Sequence, residues 1–211
     1  MSRLRRPNPS PKQSLAGKWR EYHGASEWRE LLDPLDENLR REIVKYREFA
    51  QETYDAFNSD PESSSYGGCC IPCGEVNSFL EKVGLRNTGY RVTKYLHATP
   101  NVHVPNWLAK LSNDSLNCQK SNWMGFVAVS DNLEEIKRLG RRDIVIAWRG
   151  TMTPLEWAEN LKTDLKPIKL SDNRHHSDLN PKVKNGCLSL YTSKGNDHGN
   201  NKNNSMKSAS E

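Results

Sequence analysis

The sequence predicts an α/β fold, and three stretches carry that expectation. Ile144-Val145-Ile146-Ala147-Trp148 is a continuous apolar run rich in β-branched side chains, and it ends at Arg149-Gly150-Thr151 just before a helical pattern. Trp123 to Ser130 is a second apolar run of strand length. Leu35 to Phe57 places its apolar residues at steps of three and four, the spacing of one helix face.

Met1 to Ser14 is basic and proline-bearing, with Arg3, Arg5, Arg6 and Lys12 among Pro7, Pro9 and Pro11, and no acid precedes Glu21. A disordered arm over residues 1–16 is the expectation, with a shortened transit peptide as the alternative. Between Lys18 and Leu32, the residues Trp19, Tyr22, Trp28, Leu31 and Leu32 suffice to dock an N-terminal helix or extension. Asp33-Pro34-Leu35-Asp36-Glu37 reads as a helix start, with Asp33 at the N-cap and Pro34 at the first helical position. Leu35, Leu39, Ile43, Tyr46, Phe49, Ala50, Tyr54 and Phe57 then form its core face over about six turns, and Asn58-Ser59-Asp60-Pro61 stops it.

Pro61 to Gly74 is a Ser/Gly/Cys loop, and Glu75 to Val83 is a short helix stopped at Gly84. Tyr90 to Leu96 alternates as a strand does, and Thr99 to Asn122 is irregular. Trp123–Ser130 and Asp143–Trp148 are expected to pair as an antiparallel hairpin across a charged connection holding Arg138, Arg141 and Arg142. Those arginines read as solvated, with contact to anionic lipid as the alternative. The strand ending at Trp148 reads as buried on both faces. Thr153 can cap a helix with Pro154 at its first position, where Leu155, Ala158 and Leu161 share an apolar side and Trp157 adds an amphipathic ring. Leu170 to Pro181 is a polar loop, and Val183 to Ser193 begins another helix.

Composition removes several classes of function. The chain of 211 residues is only 35% hydrophobic, and no apolar run approaches the ~20 residues of a membrane span. Its net charge of +5 is dispersed, without a basic stripe interleaved with aromatics, so nucleic acid is not an expected partner. Five cysteines, an odd number, argue against a secreted disulfide framework. Cys69-Cys70-Ile71-Pro72-Cys73 holds one Cys-x-x-Cys, and His97, His103 and Cys118 do not complete it at finger spacing. No metal is expected there, and a zinc or redox module is the most distant alternative. His175 and His176 lie among polar loop residues and read as solvated.

The strand end at Arg149-Gly150-Thr151 is a place to hold a polarised oxygen. Gly150 permits close backbone approach, and the N–H and hydroxyl of Thr151 can both face developing negative charge. An ordinary turn capping a core strand accounts for the same residues.

Those residues also carry a resemblance. Gly140 to Thr151 with Leu155-Glu156-Trp157 is similar to the plant class 3 (fungal-type) lipases, and within them to plastid phospholipase A1 of the defective-in-anther-dehiscence type. Lys18-Trp19-Arg20-Glu21-Tyr22, Leu31 to Asp36, Asn122 to Val129 and Leu188 to Ser193 extend the likeness, which spans roughly Gly17 to Lys194. The resemblance implies an α/β-hydrolase fold, here incomplete, with N-terminal helices and the first strands of the sheet over residues 17–194. It implies release of the sn-1 fatty acid from phospholipid or galactolipid surfaces, in the chloroplast, without a cofactor; residence in the cytoplasm is the alternative. It assigns the oxyanion role to Thr151 and makes Thr153 to Leu161, with Pro154, Leu155, Glu156, Trp157, Ala158 and Leu161, the lid. A short amphipathic helix can cover a cleft in water and turn its apolar face to lipid; an ordinary helix packed on the sheet fits equally.

Acyl transfer by this family needs a serine in Gly-x-Ser-x-Gly with later Asp and His partners. No Gly-x-Ser-x-Gly occurs in the sequence. After Ser193 the chain becomes Asn-, Ser- and Lys-rich, so residues 195–211 are expected to be a disordered tail, and neither Asp197 nor His198 is expected to serve a triad. The expectation is therefore a chain that ends before the nucleophile elbow, with no catalytic triad, inactive alone and marginally stable at an open sheet edge. The alternative is a non-enzymatic partner that binds a full-length lipase or a lipid surface.

Overall fold

The computed structural model describes residues 13–101, 121–168 and 181–193. In chain order they form α1 (Trp19–Tyr22), α2 (Glu37–Asp55), a 3-10 segment (Cys73–Ser78) running into α3 (Phe79–Lys82), and β1 (Tyr90–Ala98). Then come β2 (Asn122–Ser130), α4 (Leu133–Leu139), β3 (Ile144–Trp148), α5 (Pro154–Asn160), β4 (Leu165–Pro167), β5 (Lys182–Lys184) and α6 (Asn185–Tyr191). Strands β1, β2 and β3 make one sheet in that order, and β4 pairs with β5 in an antiparallel ribbon. The mixture of helices and strands is compatible with part of an α/β fold. Residues 1–12 of the basic arm, most of the irregular stretch, most of the polar loop and the tail lie outside the described residues; Leu15, within the expected arm, is buried at 1% exposure, and its N–H donates to the Arg138 carbonyl at 2.6 Å.

Strands β2 and β3 are antiparallel, because the Ser130 N–H donates to the Asp143 carbonyl at one end and the Arg149 N–H to the Met124 carbonyl at the other. Burial corrects the expected double-sided cover of β3. Val145 and Ala147 are buried, whereas Ile144, Ile146 and Trp148 are 69%, 56% and 41% exposed. The apolar run is an alternating strand whose outward positions are also apolar, and among the described residues it is the sheet's edge.

Two compact units make up the chain. The first comprises Met1–Asp55, Cys73–Lys94 and Phe126–Ala147. Its core gathers Phe49, Phe79, Tyr90, Val92 and Phe126, with Phe79 and Phe126 ring centroids 4.9 Å apart and Phe49 edge-on to Tyr90 at 5.2 Å. Such offset and T-shaped pairs satisfy the ring quadrupoles while burying large apolar area.

Helix α2 starts later than the sequence suggests. Leu32 bridges to Leu35, so Asp33 and Pro34 make a turn, and Asp36 is the cap: its Oδ1 accepts from the N–H of Asn38 at 2.8 Å and of Leu39 at 3.0 Å. The buried face also differs. Leu39 and Phe49 are buried as expected, but so is Glu42, while Ile43 and Tyr54 are exposed. Glu42 turns inward because Arg138 Nη2 donates to its Oε1 at 2.9 Å and Lys45 pairs with its other oxygen. Arg138 also forks onto Glu135 at 2.6 and 2.9 Å. The charged connection between β2 and β3 is thus a capped helix, α4, whose half-buried Arg138 is engaged in an ion network rather than freely solvated. Asn132 Oδ1 caps its start, and Gly140, at φ 73°, ends it against Ala16 where a side chain would collide.

The second unit comprises Ala56–Pro72, Tyr95–Gly125 and Trp148–Glu211. Phe57, Tyr95, Leu96, Ala98 and Trp123 form its apolar centre, with Tyr95 edge-on to Trp123 at 6.0 Å. The loop after α2 is stitched by Asn58 N–H to Gly68 O and Cys70 N–H to Ala56 O, and it meets β2 through Trp123 N–H to Gly67 O. Strand β3 delivers its last residue, and α5 all of its residues, to this unit.

Candidate functional site

The junction between β3 and α5 is built around one buried ion pair. Arg149 follows the last residue of β3, and its side chain is fully buried. Its five N–H donors all find acceptors. Nε donates to the Trp123 carbonyl at 2.8 Å, Nη1 to the Gly150 carbonyl at 2.7 Å and to Glu156 Oε2 at 2.8 Å. Nη2 donates to Glu156 Oε1 at 2.6 Å and to the Met124 sulfur at 3.5 Å, and the guanidinium lies 4.1 Å from the Phe57 ring centroid. Two parallel bonds to one carboxylate are the geometry that the planar guanidinium suits best.

Glu156 is matched as fully. Besides Arg149, its Oε1 accepts from Asn122 Nδ2 at 2.9 Å, and its Oε2 from the backbone N–H of Met152 at 2.9 Å and of Thr153 at 3.2 Å. Burial alone pushes this carboxyl upward, but the hydrogen bonds and charge of Arg149, helped by Met152 and Asn122, hold it below its ordinary value. The Thr153 hydroxyl accepts the Glu156 N–H, completing a capping box with Pro154 at the first position of the helix. The start of α5 thus falls where its sequence pattern puts it.

This clamp fixes what lies between its jaws. Met152 and Thr153 direct their N–H groups inward to Glu156, whereas among the described residues the Thr151 N–H has no acceptor. The Thr151 hydroxyl oxygen accepts from Asn160 Nδ2 at 2.5 Å. An amide nitrogen cannot accept, so the hydroxyl hydrogen of Thr151 remains available to another acceptor. Half-buried Thr151 therefore presents two unspent donors, which is the chemistry that stabilises an oxyanion.

Helix α5 turns two carboxylates inward and its largest apolar groups outward. Glu156 and Glu159 are its buried residues, at 1% and 0% exposure, while Trp157 and Leu161 are 60% and 78% exposed. Glu159 is held by Lys162, whose Nζ reaches Glu159 Oε1 and the Asn101 carbonyl, each at 2.9 Å. Leu155 and Ala158 are half-buried, and Pro154 and Met152 are exposed. Arg149, Asn122 and Asn160 are absent from the sequence-derived site. The spacing of Thr153 and Glu156 as a capping box signals the helix start, but no local pattern signals these three.

Other candidate groups stand apart from this junction. Cys70 and Cys73 are exposed thiols, outside any disulfide, and among the described residues no three His, Cys, Asp or Glu are grouped to hold a metal. His97 is buried, with its Nδ1 unpartnered, and burial lowers its pKa to about 4. His103, Cys118, His175, His176, Asp197 and His198 lie outside the described residues. Among the described residues no helix is long and apolar enough to cross a membrane.

No family model matches the chain. Curated relatives do. The chain is 47% identical over 182 residues to phospholipase A(1) DAD1, chloroplastic, of Arabidopsis thaliana, an alignment that takes in 85% of this chain and 40% of that protein. It is 45% identical over 182 residues to the chloroplastic phospholipase A1-Igamma3 of the same plant, covering 86% of this chain and 33% of that one. Galactolipase DONGLE, chloroplastic, also from Arabidopsis thaliana, is 38% identical over 186 residues, covering 88% of this chain and 37% of the relative. The chain belongs to the plant phospholipase A1 family. Within it, the likeness runs to the chloroplastic proteins of the DAD1 and Igamma kind, of whose length the chain spans 33 to 40%.

Proposed function

We propose that this chain carries the oxyanion-binding and lid portion of an acyl-ester hydrolase that cleaves the sn-1 ester of phospholipids or galactolipids in the chloroplast. The observation that carries the reading is the Arg149–Glu156 clamp, which leaves the N–H and hydroxyl of Thr151 as unspent donors at the end of β3. The relatives' names support the choice of substrate, since they include phospholipases A1 and a galactolipase. In this reading Thr151 receives the negative charge of the tetrahedral intermediate, and Thr153 to Leu161 cover the acyl cleft until Trp157 and Leu161 meet lipid.

The same reading assigns no nucleophile to these 211 residues, because no Gly-x-Ser-x-Gly is present. Hydrolysis then requires a serine elbow supplied outside this sequence. The test is labelling of the purified chain with a serine-directed fluorophosphonate, alongside hydrolysis of phosphatidylcholine and monogalactosyldiacylglycerol. The expected outcome is neither labelling nor turnover, with turnover appearing when a serine-elbow segment from a relative is joined to the chain and falling on Thr151→Val. Labelling of one serine in the chain alone overturns the assignment of an incomplete triad. Unchanged turnover in Thr151→Val overturns the oxyanion role.

A further inference from the structure

The β4–β5 ribbon has one face that combines exposed apolar and basic residues. Leu165 stands opposite Lys184, Lys166 opposite Val183, and Pro167 opposite Lys182. Directly opposed residues share a face, and neighbours along a strand point to opposite sides. Leu165, Pro167, Lys182 and Lys184 therefore lie on one face, and all four are exposed. The other face carries Lys166 and half-buried Val183. Lys166 is matched by Asp164 at 3.3 Å, whereas among the described residues neither Lys182 nor Lys184 is in an ion pair.

The ribbon is tied to α5. Asn185, directly after β5, donates its N–H to the Asp164 carbonyl and its side-chain amide to both Asp164 carboxylate oxygens, each at 3.2 Å. Gly186 donates to the Lys162 carbonyl and packs against the Glu159 carbonyl so closely that a Cβ has no room. Along the chain from α5 into the ribbon, Trp157, Leu161 and Leu165 stand at four-residue intervals, 60%, 78% and 60% exposed.

Two ammonium groups with no ion pair among the described residues, beside exposed apolar side chains, suit a surface that is anionic outside and apolar beneath. Lysine can lay its methylene stem on the apolar layer and hold its charge at headgroup level, and a tryptophan ring settles at the same boundary. A soluble anion meets the charge but leaves Leu165 and Pro167 without a partner. We infer that the β4–β5 ribbon, through Lys182, Lys184, Leu165 and Pro167, docks the protein on bilayers that carry anionic headgroups. The inference rests on the lipid-surface reading above and deepens it by making headgroup charge the selecting feature.

The test is co-sedimentation of the purified chain with vesicles of phosphatidylcholine alone and of phosphatidylcholine containing about 30 mol% phosphatidylglycerol. Each lysine near such a surface strengthens partitioning roughly fivefold, so Lys182→Gln with Lys184→Gln is expected to weaken binding to the anionic vesicles about twenty-five-fold at low ionic strength. Lys182→Arg with Lys184→Arg should retain binding, Lys166→Gln on the other face should leave it nearly unchanged, and added salt should remove the preference. Equal binding to both vesicles, or an unaltered anionic preference in the double glutamine variant, overturns the inference. Loss of binding in Trp157→Ala alone, with no response to either lysine, also overturns it, because apolar contact then suffices. Sedimentation reads no hydrolysis, so failure of the hydrolase reading shows in turnover and leaves this result standing or falling by itself.

Discussion

The side-chain amide of Asn160, at the last turn of α5, donates to the hydroxyl oxygen of Thr151, nine residues earlier and just past the end of β3. The helix thereby sets the direction in which Thr151 can donate. In a hydrolase carrying this segment with a serine elbow, Asn160→Ala should lower kcat about tenfold with little change in KM, because the hydroxyl loses its orientation but keeps its hydrogen. Asn160→Asp should be worse, approaching the roughly hundredfold loss of an oxyanion donor, since a carboxylate accepts the Thr151 hydrogen and turns it inward. Initial rates on phosphatidylcholine separate the two, and equal effects of both variants rule out the orienting role.

Arg149 and Glu156 compensate each other in a site from which water is excluded. Arg149→Met strands the carboxylate and should destabilise the chain by about 3–5 kcal/mol. Arg149→Lys keeps the charge but not the fork, so it should recover only part of that loss. Combining Arg149→Met with Glu156→Gln should be milder than Arg149→Met alone, because the neutral amide leaves no buried charge while its oxygen still accepts backbone N–H groups. Urea unfolding measures all three, and a loss below about 1 kcal/mol in Arg149→Met contradicts the clamp.

Buried His97 makes stability depend on pH. Its folded pKa is lowered from 6.5 to about 4 by burial, so the unfolded chain takes up a proton that the folded chain refuses. A lowered pKa means that the stabilisation is fully present above pH 6.5 and is lost as pH falls from 6.5 toward 4. Over that window the loss approaches roughly 3 kcal/mol. Glu156, also depressed, adds its loss only below its unfolded value of 4.5. Urea midpoints between pH 7 and 4 should fall, and His97→Gln should flatten the upper part of the curve.

Gly186 is a packing glycine. A Cβ there runs into the Glu159 carbonyl, which is backbone and cannot swing away. Gly186→Ala should therefore cost about 1–3 kcal/mol by forcing α6 from α5. Gly74→Ala, where a Cβ meets open space, is the control and should shift the unfolding midpoint little.

Local pattern located the elements better than it located their faces. The start of α5 was legible because Thr153, Pro154 and Glu156 form a complete capping signal within four residues. The start of α2 was not, since Asp33 and Asp36 both qualify as caps and the Leu32–Leu35 bridge decides between them. Glu42 looked like a solvent residue because its partner Arg138 lies 96 positions away. Ile144, Ile146 and Trp148 looked buried because an unbroken apolar run does not reveal which alternate positions are covered. At the junction, Thr151 was visible from the Arg-Gly-Thr order. Asn160, which holds the Thr151 hydroxyl, comes from the far end of a helix, and Asn122, which holds Glu156, comes from another strand; no spacing rule links them.

The seven residues of α5 divide their labour in an unusual way. Inward, the Glu156 carboxylate fastens the helix to the strand end and Glu159 pairs with Lys162; outward, Trp157 is 60% exposed, and Leu161, just past the last turn, 78%. In the proposed lid reading, substitutions at Trp157 or Leu161 alter how this segment meets lipid while Asn160, on the other side, keeps its hold on Thr151. On that reading, one side of a single helix is open to change while the other side stays fixed by the geometry of a guanidinium.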